Sequence, residues 1–154
     1  MTSFVATSSV SIDAPRERIW RALTDRNDIR KYMFGTEATS EWTEGSSISW
    51  RGEWKGKRYE DKGVVLKVIE PRLLAYSHFS PLSGLPDEPE NYHVVNIELA
   101  GLQPTWVTVT QDGNPTESAR KHSEENWSQM LGSLKRYLEA ENRISTPHPS
   151  VRSL

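Results

Sequence analysis

One long amphipathic stretch closes this sequence after a nearly unbroken run of strand-like segments, and that order leaves few folds open. Residues from about 116 to 143 read as a single helix with Thr116 as its cap. Trp127, Met130, Leu131, Leu134 and Leu138 fall in one stripe at 3.6-residue spacing. No other stripe in the sequence is long enough to cover the apolar face of a sheet. From about 37 to 111 the period is two. Ile48, Trp50, Gly52 and Trp54 alternate with polar neighbours, which marks a half-buried strand with two tryptophans inside. Lys55-Gly56-Lys57 is a hairpin turn. Val64, Leu66 and Val68 alternate in the next segment, which Glu70-Pro71-Arg72 ends. Residues 73–79 form another strand, whose inward face the pattern leaves open, and residues 80–91 form a proline-rich loop. His93, Val95, Ile97 and Leu99 share one face, as do Thr105, Val107, Val109 and Gln111 in the last strand.

Ahead of these lies a strand at 4–12. A helix follows, for which Asp13 reads as the cap and Pro15 as a first-turn residue, and then a short second helix or turn at 25–34. Strands in direct succession pair antiparallel. The expectation is an α+β fold: an antiparallel seven-stranded sheet, two short helices after its first strand, and the long C-terminal helix laid on its apolar face.

A chain of 154 residues suits one domain, expected over 1–143, with the tail at 144–154 (ISTPHPSVRSL) expected to be disordered. The sequence contains no cysteine, which excludes disulfides, thiol nucleophiles and cysteine-ligated zinc. The formal net charge of −2 offers no positive field for nucleic acid. The N-terminal residues lack the pattern of a signal peptide, and no stretch approaches the roughly 20 apolar residues of a membrane span. A cytoplasmic location without membrane insertion is the expectation. Hydrophobic residues make up only 35%, yet six are tryptophans, so the apolar interior is lean and built from large rings.

Four segments carry a resemblance: SIDAPRERIWRALTD, EWTEGSSISW, YEDKGVVLKVIEPRLLAYS and NWSQMLGSLKRYLE. Together they resemble the START-like polyketide-cyclase (SRPBCC) superfamily. Within it they are similar to the branch named for activators of the heat-shock-protein-ninety ATPase. The resemblance spans roughly residues 5–141. It implies a helix-grip fold, with the curved sheet wrapped around the long helix and a cavity between them.

The apolar stripe of the long helix stops at Trp127. Toward the N-terminus the same face continues into Glu124, Ser123 and Arg120. Two readings stand: these residues line a cavity, or this end of the helix overhangs the sheet in solvent. The cavity reading gives a ligand site bounded by Trp50, Trp54, His93, Val95, Val107, Ser123, Trp127 and Met130. The loop at 80–91 and the turn at Tyr32–Phe34 would gate its entrance.

If the alternation of Val64, Leu66 and Val68 runs backward unbroken, Lys62, Glu60 and Arg58 point inward; a β-bulge would reverse this. An inward Glu60, or His93, would then be the acid–base residue of a cyclase- or hydrolase-like enzyme. Otherwise His93 is a hydrogen-bonded structural residue, the commoner fate of a lone inward histidine. The face of His78 is ambiguous, and His122 and His148 read as exposed. No histidine pair has metal-binding spacing and no HExxH, GxSxG, Walker A or GxGxxG motif occurs. The leading function is therefore a cofactor-free, metal-free binding or carrier domain for a small hydrophobic molecule. The chain leaves room for a homodimer. The rivals are the enzyme and a co-chaperone that grips a chaperone partner.

Overall fold

A computed structural model describes residues 3–145. The chain opens with β1 (Phe4–Ile12), α1 (Arg16–Thr24) and α2 (Arg26–Tyr32). Six strands follow: β2 (Glu37–Ser40), β3 (Ser47–Trp54), β4 (Lys57–Ile69), β5 (Leu73–His78), β6 (His93–Ala100) and β7 (Thr105–Asn114). The last element is α3 (Glu117–Ser145). The seven strands make one curved antiparallel sheet in the order β1-β7-β6-β5-β4-β3-β2. The expected architecture is therefore present, element for element. α3 runs to Ser145, two residues past the expected end, and the rest of the expected tail lies outside the described residues.

The hairpin at Lys55-Gly56 turns with both residues at positive φ, which matches the right-handed twist of the strands it joins. Thr116 caps α3, its Oγ1 accepting from the Ala119 amide at 3.0 Å. The expectation for Asp13 fails. Pro15 occupies the cap position of α1, and no side chain caps that helix. The Asp13 carboxylate instead accepts from the Gln103 side chain, because Pro15 already supplies the extended entry and the fixed φ that a helix start needs.

The core is the concave face of the sheet closed by the C-terminal half of α3. Leu131, Leu134 and Leu138 are almost fully buried against Ile12, Ile97, Leu99 and Val107. α1 contributes Ile19, Trp20, Ala22 and Leu23 to the same cluster. No helix among the described residues is long and apolar enough to cross a membrane.

A polar clamp fastens the short helices to α3. The Arg18 guanidinium donates to both oxygens of Asp28, at 3.1 and 3.0 Å, and to Glu141 at 2.9 Å. The Tyr137 hydroxyl donates to Asp28 as well. Burial by itself would raise the Asp28 carboxyl, but the hydrogen bonds from Arg18 and Tyr137 outweigh it and hold the group below the usual carboxylate range. Tyr137 is pushed up to about 12, first by burial and then by its bond to Asp28.

Replacing Leu134 with Ala should cost about 2–5 kcal/mol in chemical denaturation; a cost near zero would mean the stripe does not seal the core. The clamp makes a pH-dependent prediction. A carboxyl depressed in the folded state contributes stability that is present above its unfolded value, near 3.9, and lost as pH falls through the folded value. Asp28→Asn should therefore lower stability at neutral pH by about 1–3 kcal/mol. It should also flatten the acid-side loss of stability that urea melts of the wild type are expected to show below about pH 4.

Candidate functional site

Where the leucines of α3 give out, the sheet and the helix separate and enclose a cavity of about 490 Å³. Strands β3 to β7, the turn after α2 and the N-terminal half of α3 all contribute to its wall. The apolar wall is largely aromatic. The Trp50 ring lies 5.2 Å from the ring of Tyr76 and 5.2 Å from that of His78, and Trp127 and Met130 face them from α3.

Of the residues expected to bound the cavity, Trp50, His93, Ser123, Trp127 and Met130 line it. Val95 and Val107 do not. Both share the inward strand faces, but they sit deeper, in packed core that is almost wholly buried. Val107 pairs with Leu99, at the end that the α3 leucines close. Trp54 belongs to β3, but its side chain lies outside the described residues. At the proposed entrance Tyr32 is buried, its hydroxyl donating to the Ala22 carbonyl. Met33 lines the cavity instead, with Ser80 and Leu82 from the loop after β5.

The polar end of α3 divides between both readings. Ser123 lines the cavity in a relay that also fixes Trp127: Trp127 Nε1 donates to Gln111 Oε1 at 2.7 Å, Gln111 Nε2 reaches Ser123 Oγ at 3.4 Å, and Ser123 Oγ donates to Asn114 Oδ1 at 2.8 Å. Arg120 and Glu124 turn aside. They pair with each other, and Glu124 accepts from the backbone amide of Thr7 on the edge strand β1.

Strand β4 corrects the inward assignment of Glu60. Val65 pairs with Tyr76 and Lys67 with Ala75, so β4 advances two residues while β5 advances one, and Leu66 is the extra residue of a bulge. Val65 and Val68 both face the core across this bulge, whereas Val64 and Leu66 face outward. Counting back from Val68 therefore gives the wrong parity. Glu60 is on the outer face, 58% exposed and 3.3 Å from Arg51. The inward residues are Tyr59 and Asp61.

Asp61 is one of several cavity residues that the sequence pattern passes over, with Tyr59 and Tyr76 beside it. Its Oδ2 lies 2.9 Å from Nε2 of His78, and their side chains are 17% and 28% exposed. Its Oδ1 is buried and meets no hydrogen-bond partner among the described residues. A signal for this geometry exists in Gly63, a glycine inside a strand. A Cβ there would stand 1.7 Å from the backbone oxygen of Ser77, so only glycine allows β4 to run this close to β5 and bring Asp61 to His78. A second close approach lies beside it: Tyr59 lies over Gly52, and its hydroxyl is 2.6 Å from Thr36 Oγ1.

His78 is inward, which resolves its ambiguous face. His93, its register partner on β6, has its ring 6.5 Å away. Nδ1 of His93 lies 2.8 Å from the Asp112 carbonyl, so the hydrogen-bonded structural reading of His93 holds, on a residue that also lines the cavity. Burial drives the Tyr76 phenol far above its ordinary range, so its hydroxyl stays protonated. The described residues contain no group of three or more histidine, aspartate or glutamate side chains placed to hold a metal ion.

Comparison with known proteins adds the lineage. The family model described as "Activator of Hsp90 ATPase homolog 1-like protein" matches residues 13–139. A solution structure of a protein from Cytophaga hutchinsonii is 52% identical, with a TM-score of 0.80, over 95% of this chain and 100% of that one. The Aha1 dimer from Colwellia psychrerythraea is 21% identical, with a TM-score of 0.66, over 86% of this chain and 93% of that one. DynU16, described as a putative protein in the dynemicin biosynthetic locus, is 24% identical, with a TM-score of 0.71, over 88% of this chain and 47% of that one. The last two likenesses are of fold alone. No match was found among curated proteins.

Proposed function

Because the chain belongs to the family of activator of Hsp90 ATPase homolog 1-like proteins, and because a cavity separates its sheet from α3, we propose that it binds or carries a small, mostly apolar molecule in that cavity. The observation that carries this reading is the composition of the wall. Trp50, Tyr76, Trp127 and Met130 supply apolar surface, and a few fixed polar groups interrupt it, as small-molecule sites generally require. A volume of about 490 Å³ falls in the range of such sites.

The Asp61–His78 pair favours a second reading, acid–base chemistry of a cyclase or hydrolase kind on the same bound molecule. In that reading these two residues take the place of Glu60. The description of the Colwellia relative as a dimer supports including a homodimer in the proposal.

The neutral probe N-phenyl-1-naphthylamine should bind with a rise in its own emission and quenching of tryptophan. Asn126 lines the cavity and is exposed, so Asn126→Trp should plug the mouth at little structural cost. Probe binding should then be lost while stability stays within about 0.5 kcal/mol. A wild-type protein that binds no apolar probe would overturn the reading.

A further inference from the structure

Two imidazoles stand side by side on the cavity wall, their rings 6.5 Å apart, and each is held by an acceptor. Asp61 holds His78 at Nε2 and the Asp112 carbonyl holds His93 at Nδ1. Neither acceptor can give a proton: a carbonyl only accepts, and so does an ionised carboxylate. The second oxygen of Asp61 is buried and meets no partner among the described residues, so the carboxylate depends on His78 for a hydrogen bond, which an Nε2–H would donate. The tautomers that fit these partners are Nε2–H on His78 and Nδ1–H on His93, which would leave lone pairs on Nδ1 of His78 and Nε2 of His93, on two side chains that line the cavity.

We infer that this part of the cavity wall is an acceptor site, built from His78 Nδ1 and His93 Nε2, that receives the O–H or N–H group of an otherwise apolar ligand and disfavours a carboxylate. The inference rests on the reading of the cavity as a ligand site and names the chemistry of its ligand. The rings of Trp50 and Tyr76 lie along the apolar body of such a molecule, and the two histidines fix its donor end. An anionic ligand would face two lone pairs and the Asp61 carboxylate, which lines the same cavity. An alcohol and an ammonium share the required donor, and the test separates them.

The test uses the wild-type protein at about pH 8. Five naphthalene compounds are titrated by calorimetry: 2-naphthalenemethanol, its methyl ether, 2-naphthylmethylamine, 2-naphthoate and 2-methylnaphthalene. The alcohol should bind roughly fivefold or more tightly than its methyl ether, which keeps the oxygen and loses only the donor. The amine binding tighter than the alcohol would identify a charged donor, and the reverse a neutral one; either supports the site. Long-range proton–nitrogen spectra should show His78 as the Nε2–H tautomer and His93 as the Nδ1–H tautomer. His78→Phe should erase the difference between alcohol and ether, and the wild-type comparisons stand even if that variant is unstable. Equal affinity for alcohol and ether, tightest binding of the naphthoate, or the opposite tautomers would overturn the inference while leaving the cavity a ligand site. Failure of every compound, 2-methylnaphthalene included, would overturn the ligand site itself.

Discussion

One helix has to cover the concave face of seven strands, and its apolar stripe is shorter than that face. This mismatch shapes the molecule. From Met130 to Leu138 the helix offers large apolar side chains that join Ile97, Leu99 and Val107 in one buried cluster. N-terminal to Trp127 the same face turns to Ser123, which cannot fill the volume, and the sheet and helix part around a cavity. The Arg18–Asp28–Tyr137 clamp ties the C-terminal part of α3 to the two short helices, while Glu124 and Ser128 tie its N-terminal part to β1 at Thr7 and Ser8.

Most of the fold was legible because its signals were local. The helix stripe, the period-two alternation of Ile48, Trp50 and Gly52, and the Lys55-Gly56 hairpin each depend on neighbours in the chain, and each reports the correct element. Asp13 shows the limit of such signals. It has the right residue type near a helix start, but Pro15 already supplies the entry geometry and Asp13 binds Gln103 instead.

The candidate site was legible only in part. Trp50, His93, Ser123, Trp127 and Met130 could be placed by periodicity, because no irregularity lies between them and the elements that define their faces. Val95 and Val107 share those faces but not that depth, and periodicity carries no information on depth. Asp61 was out of reach of the pattern for a different reason. Strand parity is conserved only while pairing is regular, and a single extra residue at Leu66 inverts every side chain before it. The partnership of Asp61 with His78 depends further on the contact of Gly63 with the Ser77 backbone, a tertiary fact that no local rule encodes.

The central claim is that small apolar molecules occupy the space between the sheet and the N-terminal half of α3. Fluorine NMR of protein labelled with fluorotryptophan, titrated with a neutral apolar compound such as 2-methylnaphthalene, tests it most directly. The tryptophans sample distinct places: Trp50 and Trp127 line the cavity, Trp20 lies in the core cluster, and Trp106 is exposed. The account predicts that the Trp50 and Trp127 resonances move together and saturate while those of Trp20 and Trp106 stay in place. Movement of Trp106 with Trp50 and Trp127 unchanged, or no movement at all, would contradict it.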